Sequence, residues 1–434
     1  MTRISSTPTI IASGLLLVVI LTLHLLPFHP IVAYCTVFFA ASGLYLLVAY
    51  RLLKHPLSGS ALVALMIAAL LVRLSFLLTY PVGSDDAYRY LWDGKVQAAG
   101  LNPYRFAPDA PEVQHLQSAM LPSLVNHPDM KTIYFPLNQW FFYMAYSLSG
   151  EAIWGFKLML FLAESVTLLG LSRLIRRLSL SPRLVLLYAL CPLPILQFAV
   201  DAHVDALGLA LLVLGVLLYL TGKKTAALFL LGLSVAVKPV AIVLLPIFFL
   251  NESNFRRRLL VLIVPTVTFA GQFIPYVISA NPFESLLRFA QHWTFNGAVF
   301  ETLNLYFEDN QRVRFVSGVM LAIALVFVYS SKKELLHKIY YSVLLLLLFS
   351  PVVHPWYVAW LAVLLPLARF WSGIVLVCTV SLASLTTLWY IQKGIWEQSP
   401  LVLVFEYLPV ILLLLLELRR PSTPQFDRLP STDD

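Results

Sequence analysis

The chain has 434 residues, of which 59% are apolar and only 12% are charged, and its mean hydropathy is +0.82. Roughly a quarter of the residues in soluble domains are charged, so this composition excludes a water-soluble globular enzyme. The net charge of +8 does not indicate a nucleic-acid partner, because the basic residues cluster in short joints between apolar stretches, where the positive-inside rule places them.

Apolar stretches long enough to span a bilayer recur along the whole chain. They predict an all-α polytopic membrane protein with roughly 12 to 14 transmembrane helices, because one span needs about 20 apolar residues. We expect one transmembrane domain over residues 1–420. The candidate spans are 10–28, 31–50, 61–79, 153–171, 184–200, 207–220, 226–250, 259–278, 315–329, 340–353, 357–370, 374–391 and 401–418.

Two segments, about residues 80–132 and 281–314, are long and polar enough to form ordered loops outside the membrane. The basic joints between spans are most simply cytoplasmic, so both loops face outward. In a bacterium this predicts an inner (cytoplasmic) membrane protein whose loops face the periplasm or exterior. Residues 421–434 are predicted to form a disordered cytoplasmic tail.

The topology between residues 135 and 258 has two interpretations. The basic joints at 173–183 and 223–224 also suit the cytoplasm, and simple alternation of spans cannot place every basic joint there. Either the stretch 135–148 does not span, or the helix around Lys238 and Pro239 is broken. The sequence leaves both open.

The first loop begins with the stretch GSDDAYRYLWDGKVQAAGLNPYR at residues 83–105, which predicts a helix from Ser84 to Gly100. A period of 3.6 places on one face Asp86, Arg89, Tyr90, Asp93 and Gln97. Asp85 lies beside that face, with Arg89 four residues on. The two aspartates are consistent with simple complementation of the helix dipole, but charged residues crowded beside a membrane favour a functional site.

Polar residues also interrupt the apolar pattern at 201–205, 238–239, 288–293 and 354–357. Such groups near spanning helices tend to line a cavity or pathway. Structural alternatives stay open, namely a snorkelling Lys238, a hydrogen-bonded His354, and an interfacial aromatic belt at Trp356 and Tyr357. His203 and Asp205 supply two metal ligands, which do not make a metal site.

Five landmarks between about residues 80 and 365 resemble those of bacterial polyprenyl-phosphate-sugar-dependent mannosyltransferases, which are membrane glycosyltransferases of GT-C type. The landmarks are Ser84-Asp85-Asp86 followed by Tyr88-Arg89-Tyr90 and Trp92-Asp93-Gly94, then Asn102-Pro103-Tyr104-Arg105, Tyr134 with Pro136-Leu137, His203 with Asp205-Ala206-Leu207, and His354-Pro355-Trp356-Tyr357. Phe135 departs from the pattern, since many relatives have a second proline there.

The resemblance implies an inverting transfer of a sugar, expected to be mannose, from a polyprenyl-phosphate donor to a lipid-linked or glycolipid acceptor at the outer face. Asp86 or Asp85 would take the proton from the acceptor hydroxyl, and cations would stabilise the departing phosphate. The expected substrate-binding residues are Tyr88, Arg89, Trp92, Asp93, Asn102, Tyr104, Arg105, Tyr134, His203, Asp205, Lys238, Arg288, His354 and Trp356.

No cofactor is expected. The aspartate pair would permit a divalent metal, but we favour metal-independent chemistry. The sequence lacks a glycine-rich dinucleotide loop, which suits a donor reached from the membrane. The expected partners are the polyprenyl-phosphate sugar, the lipid or glycan acceptor and membrane lipids, with no nucleic acid.

Two other functional classes stay open. A lipid-linked sugar flippase or transporter would suit the many helices, but the repeated halves common in transporters are not seen. An O-antigen ligase or polymerase would place its key Arg and His residues in a later loop and would not need the acidic pair.

Overall fold

The structure is a computed structural model that describes residues 6–25 and 30–419. Within these ranges every regular element is helical, apart from one isolated bridge between Phe295 and Val352. The predicted all-α fold is therefore confirmed. The tail predicted at 421–434 lies outside the described residues.

The helices before residue 200 begin with α1 Thr7–Leu21, α2 Pro30–Lys54 and α3 Gly59–Ser75. The first loop contains α4 Asp86–Ala98 and leads into α5 Pro136–Ser149. The chain continues through α6 Trp154–Arg177, α7 Leu186–Ala189, α8 Pro192–Pro194 and a π-helical stretch Ile195–Val200.

The helices after residue 200 begin with α9 Asp205–Leu220, α10 Lys224–Val237, α11 Leu245–Asn251, α12 Phe255–Gly271 and α13 Ile274–Val277. The second loop carries α14 Glu284–His292 and α15 Ala298–Asn304. The rest are α16 Asn310–Ser330, α17 Leu335–Phe349, α18 Pro355–Ala362, α19 Leu365–Ala368, α20 Trp371–Thr379, α21 Ser384–Lys393 and α22 Pro400–Arg419. Short 3-10 turns link several helices.

In the described part of the chain, six helices are long and apolar enough to cross a membrane: Thr7–Leu25, Pro30–Lys54, Trp154–Arg177, Asn310–Ser330, Trp371–Lys393 and Pro400–Arg419. The pair Pro182–Ala189 and Pro192–Val200, bent by 46°, makes a seventh if it is one span. Other apolar helices are only 10–17 residues long. The chain is thus a polytopic membrane protein, and the count of 12 to 14 spans stays a prediction.

The predicted single span 226–250 is wrong. Its first half, α10, ends at Val237. Lys238 follows with an extended backbone (φ −152°, ψ 136°), the conformation favoured before a proline, and Pro239 then begins a new 3-10 turn. Lys224 lies only 2.7 Å from Glu252, so both ends of the segment are on the same side of the membrane. The segment is therefore a hairpin of two short helices with Lys238 at its tip.

The stretch 135–148 also begins and ends on the same side of the membrane. Helix α5 starts directly after the first loop, and at its far end Glu151 binds Lys95 of α4 (2.6 Å) and Ser118 of the same loop (2.7 Å). Both interpretations left open by the sequence are therefore correct. If neither segment crosses the membrane, the basic joints can all lie on one side of it. Two of these joints are in direct contact, since the Arg183 Nε donates to the Leu52 carbonyl (2.7 Å).

Two basic side chains inside the helical bundle, Arg73 and Lys157, are hydrogen-bonded. The Arg73 Nε lies 3.0 Å from a carboxylate oxygen of Glu164, and its Nη1 donates to the Ala189 carbonyl at 2.8 Å. Lys157 donates to the carbonyl of Thr79 at 2.7 Å. Isolated charges are costly in such surroundings, and these contacts offset that cost while fastening α3 to α6 and α7.

Candidate active site

Two adjacent aspartates open helix α4. The helix begins at Asp86 with Asp85 as its N-cap, two residues after the predicted start at Ser84, and the Asp86 N–H donates to the Ser84 hydroxyl at 3.3 Å. The Nδ2 of Asn126, from the far end of the first loop, donates to Oδ1 of Asp85 (2.9 Å) and to Oδ1 of Asp86 (2.8 Å). One amide therefore bridges the aspartate pair.

The segment before the aspartates is anchored by Asp201. Its Oδ1 accepts hydrogen bonds from the backbone N–H groups of Val82 (3.0 Å) and Gly83 (2.7 Å), and its Oδ2 accepts one from the Tyr34 hydroxyl (2.5 Å). A Cβ on Gly83 would lie 2.6 Å from the Tyr34 ring. Glycine is therefore required here for close packing, and Asp201 fixes the entry to α4.

The environment of Asp86 makes it a stronger base than an ordinary aspartate. Its side chain is 18% exposed, whereas Asp85 is exposed. Burial, followed by the neighbouring charge of Asp85, raises the pKa of Asp86 to about 6, against the opposing effect of the Asn126 hydrogen bond. A carboxylate with a pKa near the working pH suits general-base catalysis.

His203 faces the aspartate pair. Its Nδ1 lies 3.7 Å from Asp86 Oδ2, and neither ring nitrogen has a hydrogen-bond partner although the side chain is fully buried. Burial and the charge of Lys238 hold the pKa of His203 well below its usual range, so the imidazole is neutral. A buried imidazole without partners beside a candidate base is suited to binding a substrate hydroxyl.

Four rings stack in a row beside the aspartates. His203 lies on Trp356 with ring centroids 3.7 Å apart, Trp356 lies on His354 at 4.3 Å, and His354 lies on Phe295 at 4.6 Å. Phe295 belongs to the second loop and pairs with the segment before His354, where its backbone N–H donates to the Pro351 carbonyl (2.9 Å). The second loop thus contributes directly to the site.

Lys238 contributes an ammonium group to the cluster. Its Nζ lies 2.8 and 3.0 Å from the two carboxylate oxygens of Asp205 and 3.6 Å from the centre of the Tyr357 ring. The Asp205 carboxylate also accepts a hydrogen bond from the Trp360 indole (2.7 Å). Only 18% of the Lys238 side chain is exposed, so the broken helix presents one partly buried cation to the site.

His354 is the N-cap residue of α18. Burial and the charge of Lys238 lower the pKa of His354 to about 3, so its imidazole is neutral in this structure. An anionic group bound beside it would favour the charged form and raise that pKa. The side chain is half-buried, as are those of Trp356 and Tyr134.

The structure brings together eight of the sequence-predicted site residues. They are Asp85, Asp86, Tyr134, His203, Asp205, Lys238, His354 and Trp356. Tyr134 joins the group through Tyr90, whose ring lies 5.1 Å away and whose hydroxyl lies 3.5 Å from Asp86 Oδ2. These residues come from five separate parts of the chain.

Four further predicted substrate-binding residues lie on α4, namely Tyr88, Arg89, Trp92 and Asp93, and their substrate role stays a prediction. Arg89 pairs with Asp93, four residues further on, at 3.0 Å, whereas Asp85 accepts a hydrogen bond from Asn126. The second oxygen of Asp93 accepts from Gln139 of α5 at 2.9 Å. Trp92 is buried and Tyr88 is half-buried.

Four other predicted site residues lie in the loops around the cluster. Asn102 donates to the Tyr276 carbonyl (3.0 Å), and the buried Tyr104 donates to the Tyr134 carbonyl (2.6 Å). Arg105 is exposed over Phe106. Arg288 is exposed, 3.7 Å from Asp129. These contacts join the loops, and a substrate role for the four residues stays a prediction.

Sequence reasoning missed Asn126, Asp201 and Trp360 as site residues. Asn126 stands in a loop with no motif around it, and Trp360 lies within an apolar stretch. Asp201 was visible as a polar interruption, and its place just before His203 is the signal that could have found it. Among the described residues there is no group of three or more His, Cys, Asp or Glu side chains that could hold a metal ion.

Comparison with protein families gives a match to the family described as alpha-(1->6)-mannopyranosyltransferase, N-terminal domain, over residues 9–252. This range is more than half of the chain and contains the aspartate pair, His203 and Lys238. His354 and Trp356 lie beyond it. A search of curated proteins found no match.

Proposed function

Since the chain belongs to the alpha-(1->6)-mannopyranosyltransferase family, we propose that it transfers mannose, with inversion, from a polyprenyl-phosphate donor at the outer face of a bacterial inner membrane. The proposed acceptor is a lipid-linked glycan or glycolipid. The observation that supports this most directly is the aspartate pair, which faces His203 and a cluster of aromatic and cationic side chains beside the two large loops.

Asp86 is the proposed general base. An inverting transfer needs one group that removes the proton from the acceptor hydroxyl as that oxygen attacks the anomeric carbon. The raised pKa and partial burial of Asp86 suit this role better than the exposed Asp85. His203, 3.7 Å from Asp86, would hydrogen-bond to a sugar hydroxyl and help orient it.

The leaving group is proposed to bind at Lys238 and His354. As the bond from the anomeric carbon to the phosphate oxygen breaks, negative charge develops on the lipid phosphate, and fixed donors or cations stabilise it. Lys238 lies at the tip of the broken helix, and His354 lies in the ring stack between Trp356 and Phe295. Trp356, stacked between the two imidazoles at 3.7 and 4.3 Å, would hold His203 and His354 in position beside the donor.

The transfer is proposed to be independent of metal ions. The Asn126 amide already binds one oxygen of each aspartate, so these oxygens have a partner without a bridging cation. We expect transfer to persist in EDTA at a rate close to that with added magnesium or manganese. Loss of transfer in EDTA, restored by one of these ions, would contradict this part of the proposal.

The test is sugar transfer in proteoliposomes that contain the full chain, a panel of polyprenyl-phosphate sugars and extracted membrane lipids as acceptors. Wild type should transfer mannose, and Asp86→Asn should lose at least about a hundredfold in rate while remaining folded, because a positioned base contributes about 10²–10⁴-fold. The control is Asp109→Asn, an exposed aspartate of the same loop. An active Asp86→Asn would reject Asp86 as the base. If the wild type transferred sugar from no donor, the proposed transferase would be rejected in favour of a lipid-linked sugar flippase, and lipid translocation would be measured next.

A further inference from the structure

Asn126 is the one group that contacts both carboxylates of the aspartate pair among the described residues. Its Nδ2 carries two hydrogens, and the two distances of 2.9 and 2.8 Å use one hydrogen for each carboxylate. The opposite orientation of the amide would turn its oxygen toward two carboxylates, which is unfavourable. The amide is therefore placed as a donor.

Two adjacent carboxylates repel each other, and repulsion favours protonation of one of them. A neutral donor shared by both offsets this repulsion without adding a cation that would itself pair with the base. We propose that Asn126 is a positioning residue of the active site, which holds Asp85 and Asp86 in a fixed arrangement and keeps Asp86 available as a base. The inference rests on the proposed function only for the catalytic role of Asp86.

The position of Asn126 depends on contact between the two large loops. The next residue, His127, has a left-handed backbone (φ 44°), and its ring lies 4.6 Å from that of Trp293 in the second loop. Further along the same segment, Lys131 lies 2.8 Å from Glu284 of α14. The segment that carries Asn126 thus packs against the second loop. The position of the second loop therefore affects the aspartate pair through Asn126.

Other titratable groups also act on Asp86, and the effect of Asn126 has to be separated from theirs. They come from α4, the loop before α5, the start of α9, the tip of the broken helix and α18: Asp85 and Tyr90, Tyr134, His203 and Asp205, Lys238, and Tyr357. Of these groups, only Asp85 hydrogen-bonds to Asn126 in the described part of the chain. Variants at Asn126 therefore leave the other groups in place.

The experiment measures protonation of Asp86 directly. Full-length protein in proteoliposomes is labelled with dicyclohexylcarbodiimide, which reacts with protonated carboxyl groups, and modification of Asp86 is followed against pH by peptide mass spectrometry. In Asn126→Ala the midpoint should move to higher pH by about one unit, because a hydrogen bond to a charged group is lost. The isosteric Asn126→Asp, which keeps the volume but replaces the donor by a third carboxylate, should move it further.

The matched control is Ser123→Ala, an exposed residue of the same segment whose hydroxyl donates to the Met120 carbonyl. Its midpoint should equal that of wild type. A folded Asn126→Ala or Asn126→Asp with an unmoved midpoint would overturn the inference. The same shift should be seen on the acid side of the pH profile for sugar transfer. A labelling shift in a protein that transfers no sugar would reject the proposed function and leave the role of Asn126 intact.

Discussion

The ammonium of Lys238 lies between the Asp205 carboxylate, at 2.8 and 3.0 Å, and the face of the Tyr357 ring, at 3.6 Å. Lys238 directly follows the last turn of α10, and Asp205 is the first residue of α9. This ion pair therefore fastens the tip of the broken helix to the neighbouring helix. It also fixes the one cation that the hairpin brings to the site.

Replacing one partner of this ion pair should be more harmful to stability than replacing both. Lys238→Met leaves a buried, uncompensated carboxylate and should cost about 3–5 kcal/mol, which thermal unfolding in detergent would measure. Lys238→Met with Asp205→Asn removes both charges, and the amide oxygen introduced by the second change can still accept from the Trp360 indole, so much of the stability should return. Sugar transfer should stay low in the double variant because the cation is missing. Recovery of both properties would show that Lys238 is only structural.

The proposed base predicts a pH profile of defined sign. Because burial and Asp85 raise the pKa of Asp86 to about 6, kcat/KM should fall as the pH drops through 6 and should be level above it, where Asp86 is ionised. Asp85→Asn removes the neighbouring negative charge, so the acid side of the profile should move to lower pH. Transfer rates measured on both sides of this pKa would show the shift. An acid side that moves upward in Asp85→Asn would contradict the proposed electrostatics.

Gly83 should tolerate no side chain. A Cβ there would lie 2.6 Å from the Tyr34 ring and 2.7 Å from Asp201 Oδ2, both buried, so Gly83→Ala should shift the entry to α4. We expect a loss of stability of about 1–3 kcal/mol and a lower kcat, because overpacked sites cost this much. The control is Gly43→Ala in α2, where a Cβ meets nothing within 4 Å. Equal kcat and melting temperature in both variants would contradict this interpretation of the anchor.

Much of the fold could be predicted from hydropathy alone, because the bilayer requires long apolar stretches and the two polar loops stand out between them. The break at Lys238 could be suspected from the following proline, yet a kinked helix would also tolerate a proline. The contact between Lys224 and Glu252 distinguishes a hairpin from a kinked span, and it is a tertiary contact that no local sequence pattern predicts.

Site residues could be predicted from the sequence only where ionisable side chains stand in short polar motifs. Asp86, His203 and His354 stand out because ionisable groups are rare in so apolar a chain. Asn126 does not stand out, since an asparagine in a polar loop is ordinary and its bridging role depends on folding of the loop. Arg89 shows a different limit, because the sequence did not predict its pairing with Asp93, and a substrate role for Arg89 stays a prediction.

His354 should affect the donor more than the acceptor. Its ring lies between Trp356 (4.3 Å) and Phe295 (4.6 Å), so His354→Phe keeps an aromatic ring in the stack and removes only the two nitrogens. If an imidazole nitrogen binds the lipid phosphate, kcat/KM for the donor should fall about tenfold to a hundredfold, as for a lost charge-assisted hydrogen bond, while the KM of the acceptor changes little. His354→Ala also removes the ring and should lower thermal stability, which separates packing from binding. Unchanged donor kinetics in His354→Phe, with lost activity only in His354→Ala, would assign His354 to the stack and leave Lys238 as the cation for the phosphate.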